Sequence, residues 1–168
     1  MAVASPKVNR QAVNLDGFPD LLVIYLGMQV HSLKGLVTFL KLGREIKASV
    51  DASPDGLLLH ENLLYAGWPP NAGMRQYWRD FESMERWTRT LPHQAWWRDF
   101  LGDTGGTGFW HETYNRGGGI EAVYDNMKPV GMMRLAPVEP ARGRMFSSRM
   151  RLGVGGDGPP AVVPEPVD

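Results

Sequence analysis

Apolar residues change their spacing several times along the chain, and each change predicts a new element. Residues 21–30 form an aliphatic and aromatic run without strict alternation, typical of a strand covered on both faces. Ser32 can cap the helix that follows, in which apolar residues recur at helical spacing from Leu33 to Ile46. A turn then leads into a second predicted strand at 56–66.

The next part of the chain repeats this order. A short third strand is predicted at 73–78, Asp80 is placed to cap a second helix, and a further short helix is predicted at 93–101. A strand at 108–114 and an extended segment at 120–126 follow. The succession strand, helix, strand, strand, helix, strand predicts the α+β class, with a ferredoxin-like βαββαβ antiparallel sheet and helices on one face.

Composition divides the chain into three parts. Residues 1–20 are polar and mixed and are predicted to be a flexible arm, whereas 21–134 form the folded domain. Residues 135–168 are rich in proline, glycine and arginine, so we expect a disordered or loosely docked tail. Four arginines of the tail offer binding groups for a phosphate or carboxylate, although a solvated tail is the favoured interpretation. They are Arg142, Arg144, Arg149 and Arg151.

Charge and composition exclude several classes of protein. The chain has 18 basic and 18 acidic residues, so no net field favours nucleic acid as a partner. The absence of cysteine excludes disulfides and thiol chemistry and is compatible with a reducing cytosol. No run of the sequence is long and apolar enough to span a membrane, and no export signal opens it, so the predicted location is cytoplasmic. Signatures of zinc peptidases, serine hydrolases and nucleotide-binding folds are missing, and no metal site is predicted.

The predicted strand 108–114 places proton-handling groups on two faces. Because side chains alternate along a strand, Phe109, His111 and Thr113 should face one way, and Trp110, Glu112 and Tyr114 the other. One of these triplets is expected to line a pocket. Since Glu112 faces away from His111 in a regular strand, we expect it to bind an arginine such as Arg75, across the sheet or at a dimer contact.

Other strands supply further candidates. Tyr77 could hold a developing oxyanion, as could Tyr114 and Asn126, and Glu112 completes the catalytic set with His111. The predicted substrate-binding residues can each offer a hydrogen bond or an aromatic wall: His60, Gln76, Trp78, Trp110, Tyr124 and Asn126. Each of these has an equally ordinary structural interpretation within the sheet.

Four segments together resemble a known family: Tyr25 to Met28, Gln76 to Glu82, Gly108 to Tyr114, and Tyr124 to Met127. They are similar to the monooxygenase-like family that includes the antibiotic-biosynthesis-type monooxygenase of the fumagillin pathway, in the dimeric α+β barrel superfamily. The resemblance covers roughly residues 20–135. It implies a ferredoxin-like subunit paired into a homodimer, with a pocket between sheet and helices and a role in secondary metabolism. Pairing also agrees with the sheet itself, whose second face no helix covers.

Three hypotheses follow for the chemistry. In the first, a cofactor-free oxygenase uses His111 as general base on a hydrophobic, electron-rich substrate of polyketide or terpenoid type. In the second, which follows from haem-dependent aldoxime dehydratases in the superfamily, His111 is the axial ligand of a haem. In the third, a non-redox cyclase or isomerase, or a dimeric ligand-binding module, uses the same pocket for its shape alone.

Overall fold

The computed structural model describes residues 17–91, 93–125, 127–128, 137–153 and 165. Its strands and helices are, in chain order, β1 (Leu22–Val30), α1 (Leu33–Asp51), β2 (Leu57–Ala66), β3 (Asn71–Trp78), α2 (Phe81–Thr88), α3 (His93–Gly102), β4 (Thr107–Asn115), β5 (Gly119–Asp125) and α4 (Ser148–Arg151). A 3-10 turn, Gly143–Met145, precedes α4.

The strands form one antiparallel sheet in the order β2-β3-β1-β4-β5. The first four strands in this order have the ferredoxin-like arrangement, with helices packed on one face, so the predicted α+β fold class is confirmed. The sheet has a fifth strand because residues 119–125 pair with β4 along their whole length. The third strand is also two residues longer than expected and begins at Asn71.

Both predicted helix caps are present. The Ser32 hydroxyl accepts a hydrogen bond from the Gly35 amide at 3.1 Å, and the Asp80 carboxylate accepts one from the Ser83 amide at 2.6 Å. Such a cap satisfies an amide that has no partner within its own helix, which is why α1 and α2 begin at these points.

The main core lies between the sheet and α2. It is formed by five buried side chains: Leu22, Ile24, Trp78, Phe81 and Met84. Leu152, just after α4, packs against the same cluster. We call the face of the sheet that carries this core the helix face, and the opposite face the open face.

The segment around α4 belongs to the predicted C-terminal tail. Arg149 donates to both carboxylate oxygens of Glu85 on α2, at 3.1 and 2.8 Å, and Arg151 donates to Glu121 on β5 at 2.7 Å. These two ion pairs attach α4 to the domain, so residues 148–151 are docked, which is one of the two alternatives predicted for the tail. Most of the predicted N-terminal arm lies outside the described residues.

Of the helices in the described ranges, none combines the length and the apolar character needed to cross a bilayer.

Candidate active site

A cavity of about 310 Å³ lies on the helix face. Its floor is the sheet, two of its walls are α2 and α3, and the segment 141–151 supplies another wall. The volume is at the lower end of what small-molecule sites enclose, and aromatic and aliphatic side chains form much of the lining. This cavity is the candidate site.

Strand β4 brings His111 to the cavity floor. In the register of the sheet His111 lies between Leu26 of β1 and Val123 of β5, and all three line the cavity. Phe109 and Thr113 line it too, so this triplet of β4 is the one that faces the cavity. The His111 side chain is 17% exposed, and that exposure is to the cavity.

A buried ion pair lies next to the His111 ring. Arg151 Nε donates to Glu121 Oε2 at 2.7 Å, and the two side chains are only 5% and 1% exposed. Further guanidinium hydrogens are donated to the carbonyls of Met145 and Phe146, at 2.7 and 2.8 Å. His111 Nε2 lies 3.7 Å from Glu121 Oε1 and 3.5 Å from Arg151 Nη2. The imidazole therefore contacts both an anion and a cation.

Burial lowers the pKa of His111 below its ordinary value of 6.5. The Glu121 carboxylate opposes this shift, and the positive charge of Arg151 adds to it. Burial alone would raise the pKa of Glu121, but the charges of His111 and Arg151 lower it below its usual value. At neutral pH the cavity floor thus holds a neutral imidazole beside an ionised carboxylate.

Asp125, two residues from Val123 on the same face of β5, also lines the cavity. Burial raises its pKa, while the charges of His111 and Arg151 act in the opposite direction. Its Oδ2 atom is buried and has no hydrogen-bond partner in the part of the chain that the structure describes. Asp125 is therefore a second proton-exchanging group near His111.

Aromatic rings form the wall opposite the sheet. His93, at the start of α3, lies between Trp87 and Trp96, with ring centroids 4.8 and 6.0 Å apart. Trp97 packs edge-on against Phe109 at 5.4 Å. Burial in these surroundings lowers the pKa of His93 to about 4. The wall thus contains a second histidine that is neutral at physiological pH.

Three of the predicted site residues lie on the helix face with His111, namely His60, Gln76 and Trp78. Gln76 is buried on β3 and lines the cavity. Its amide accepts a hydrogen bond from Trp78 Nε1 at 3.2 Å and lies 3.3 Å from His60 Nδ1. Trp78 is fully buried in the core, so its part is to hold Gln76 in place. Asn126 lies outside the described residues.

The other predicted site residues in the described ranges lie on the open face, as alternation along β4 predicted for Trp110, Glu112 and Tyr114. They are Tyr77, Trp110, Glu112, Tyr114 and Tyr124, and alternation along β3, β4 and β5 directs them away from His111. Within one subunit they cannot act on a substrate held at His111. The predicted role of Tyr77 and Tyr114 in holding an oxyanion there does not fit this geometry.

Glu112 also has different partners from those expected. It accepts hydrogen bonds from Tyr114, at 2.7 Å, and from Tyr124. Arg75 instead binds Glu61, at 2.6 Å, and donates to the Tyr25 hydroxyl at 2.9 Å. Arg75 and Glu112 lie on the same face, but both are registered with Tyr25, which therefore lies between them.

Sequence reasoning did not identify three groups in or beside the cavity: His93, Glu121 and Asp125. It named Arg151 only as a residue that could bind a phosphate or carboxylate, and favoured a solvated tail. The alternation of residues 119–125 contains a signal for two of them, because pairing β5 with β4 places Glu121 and Asp125 on the face of His111. No local pattern indicates that Arg151 reaches them from a segment 30 residues further along the chain.

His111 does not fit a haem iron in this arrangement. A transition metal lies roughly 2 Å from the imidazole nitrogen that binds it. Here Nε2 faces the Arg151 guanidinium at 3.5 Å and the Glu121 carboxylate at 3.7 Å, so an iron on this nitrogen would lie against a buried cation. Within the described ranges, no group of three acidic or histidine side chains converges as a metal site.

The chain matches the Monooxygenase af470-like family over residues 21–132. It belongs to this family. The matched range contains the whole sheet and α1 to α3, including His111 and Glu121, but ends before α4.

Aldoxime dehydratases are also similar. The chain is 31% identical to the aliphatic aldoxime dehydratase of Rhodococcus erythropolis over 110 residues, which are 58% of this chain and 28% of that protein. An aldoxime dehydratase solved in complex with butyraldoxime is 27% identical, with a TM-score of 0.50, covering 60% of this chain and 28% of that one. The chain therefore spans less than a third of the length of these relatives.

SnoaB, a cofactor-independent oxygenase from Streptomyces nogalater, is a more distant structural match. Its crystal structure is 14% identical, with a TM-score of 0.45, and the match covers 56% of this chain and 91% of that one. Together with the family assignment, the two dehydratase matches relate the chain to small enzymes and enzyme domains of this fold.

Proposed function

We propose that the protein is a small monooxygenase of secondary metabolism that oxidises a hydrophobic, electron-rich substrate of polyketide or terpenoid type without a bound cofactor. His111 acts as the general base. Membership of a monooxygenase family supports the reaction class. The largely apolar, aromatic-walled cavity supports a hydrophobic substrate.

The observation that carries this proposal is the environment of His111. A general base has to be unprotonated at the working pH, and burial keeps this imidazole neutral. Once the ring accepts a proton, the Glu121 carboxylate at 3.7 Å stabilises the resulting cation. Arg151 in turn stabilises Glu121 as an anion, so both partners of the base are in place before the substrate binds.

The reaction balances without an external reductant. His111 removes a proton from an activated methylene, the substrate carbanion reduces dioxygen to a peroxide anion, and this anion takes the proton back from His111 to give a carbon hydroperoxide. His111 then removes the remaining hydrogen of that carbon as a proton, the O–O bond breaks to leave a ketone, and the departing hydroxide accepts that proton to form water. One dioxygen is consumed for each ketone and each water formed, and the substrate supplies the electrons.

Oxygen consumption by purified, chelator-treated protein tests this proposal. A panel of anthrones and related phenolic substrates should give one oxygen consumed per ketone formed, and His111→Ala should abolish the uptake. Activity that disappears on chelation, or that requires added haem, would contradict the cofactor-free reaction.

The identity to aldoxime dehydratase supports a second candidate, a haem-dependent lyase with His111 as axial ligand. The position of Arg151 argues against it, because α4 would have to leave its place before iron could approach Nε2. A Soret band that survives purification and is lost in His111→Ala would establish this alternative. Turnover without oxygen in colourless protein would instead favour a cyclase or isomerase.

We also propose that the open face pairs with a second copy of the chain. Large apolar and aromatic side chains are exposed on or beside that face, including Leu59 at 49% and Tyr65 at 38%. Covering such a surface is favourable in proportion to its apolar area. Sedimentation of the full chain should give the mass of a dimer; a monomer at micromolar concentration would rule this out.

A further inference from the structure

We infer that His93 is a specificity-determining hydrogen-bond acceptor, and that the ligand of this cavity carries a hydroxyl group that donates to it. The inference deepens the proposed function, because it describes the substrate of the same cavity.

The first argument is the tautomer of His93. Its Nδ1 atom lies 3.1 Å from the carbonyl oxygen of Thr88, at the C-terminal end of α2. A carbonyl only accepts hydrogen bonds, so Nδ1 has to carry the hydrogen. The neutral ring then has a lone pair at Nε2, which makes this atom an acceptor.

The second argument is that Nε2 has no partner. No side chain or backbone group in the described part of the chain donates to it, although His93 lines the cavity. Burial also keeps the ring from becoming a donor, because its pKa of about 4 leaves it uncharged at physiological pH. This acceptor is therefore available to a ligand that donates a hydrogen bond.

The geometry around His93 also favours an aromatic hydroxyl. The ring packs between Trp87 and Trp96, so a ligand that reaches Nε2 passes along indole surfaces. Aromatic pairs gain energy beyond that of area burial alone. A phenol-type hydroxyl thus fits both the stacking surface and the acceptor.

Two probes that differ in a single hydrogen-bond donor test the inference by calorimetry on the full chain. 1-Naphthol donates a hydrogen bond, whereas 1-methoxynaphthalene keeps the ring and the oxygen but cannot donate. The wild type should bind 1-naphthol more tightly by about two- to tenfold. In His93→Phe this preference should largely disappear, while the affinity for 1-methoxynaphthalene is kept. His31→Phe is the matched control, since His31 is exposed and outside the cavity, and it should keep the preference.

Nitrogen-15 NMR of the wild type provides a second measurement that does not depend on a variant. The His93 ring should show the tautomer protonated at Nδ1, and 1-naphthol, but not its methyl ether, should shift the Nε2 resonance. The inference is overturned if Nε2 carries the hydrogen, if neither probe binds, or if His93→Phe keeps the preference. Binding needs no oxygen, so these outcomes are independent of whether oxygen uptake supports the proposed function.

Discussion

The two faces of the sheet use the same kinds of side chain in opposite ways. On the open face, Glu112 accepts from two tyrosines, and Arg75 is shared between Glu61 and Tyr25. On the helix face, one buried oxygen of Glu121 and the Nε2 atom of His93 have no hydrogen-bond partner among the residues that the structure describes. Carboxylates, cations and rings are present on both sides.

The difference lies in how completely the polar groups are satisfied. Groups that satisfy one another contribute to a structure and leave little for a ligand to bind. Groups left incomplete beside a cavity cost stability and are a mark of a functional site. Burial raises the pKa of Tyr114 to about 12, and its bond to Glu112 adds to this, so this phenol is a poor base as well as a misdirected one.

Variants on the two faces of the sheet should differ most in their catalytic rate. We expect His111→Ala to lower the rate of oxygen uptake by about 10²–10⁴-fold, which is the range for loss of a general base. Glu112→Gln, the neighbouring change on the open face, should leave the rate within about threefold. Equal losses in the two variants would mean that the faces do not divide the chemistry in this way.

The buried ion pair should produce the largest effect on stability. Arg151→Met leaves the Glu121 carboxylate buried without its partner, and such changes cost about 3–5 kcal/mol in the free energy of unfolding. Urea denaturation measures this loss. Adding Glu121→Gln should recover most of it, because no unpaired charge then remains. A double variant as unstable as the single one would show that Arg151 acts through packing alone.

The two cavity histidines should make the protein less stable in mild acid. The folded-state pKa of His93, about 4, and the lowered pKa of His111 both lie below the ordinary value of 6.5. The unfolded chain therefore binds protons first as the pH falls, and stability is lost. Between pH 6.5 and 5 we expect His93 to account for a loss of about 1–2 kcal/mol, and His111 to act in the same direction.

Urea titrations at several pH values measure this slope. His93→Phe should remove its share of the pH dependence, whereas Tyr114→Phe on the open face should leave the slope unchanged. Stability that is constant over this range would contradict the buried, neutral state of both rings.

The smallest effect should come from the open-face ion pair. Arg75 and Glu61 have side chains that are 30% and 38% exposed, and such pairs contribute about 0.2–1 kcal/mol. Arg75→Met should therefore cost far less than Arg151→Met. A larger cost that depends on protein concentration would indicate that a second copy covers this face.

Local patterns predicted the elements well, since caps and periodicity are encoded by neighbouring residues. Ser32 and Asp80 begin their helices as expected, and strict alternation along β4 separates His111 from Glu112. The same alternation could not show which face carries the cavity. That depends on where α2 and α3 pack, which is a property of the whole fold.

Contacts between distant segments were the part that the sequence did not reveal. Arginines in a proline- and glycine-rich region are most often solvated, and only the folded chain brings Arg149 to Glu85 and Arg151 to Glu121. For Glu112 the face was predicted correctly and the partner was not, because two tyrosines lie closer to it than Arg75.

The position of α4 has a consequence for how such enzymes diversify. The family match ends at residue 132, yet Phe146, Ser148 and Arg151 help to enclose the cavity. Changes at the cavity-facing positions Phe146 and Ser148 can alter the shape of the binding chamber while the ion pair of Arg151 with β5 is kept. The segment around α4 is therefore a place where substrate preference can change on the same sheet.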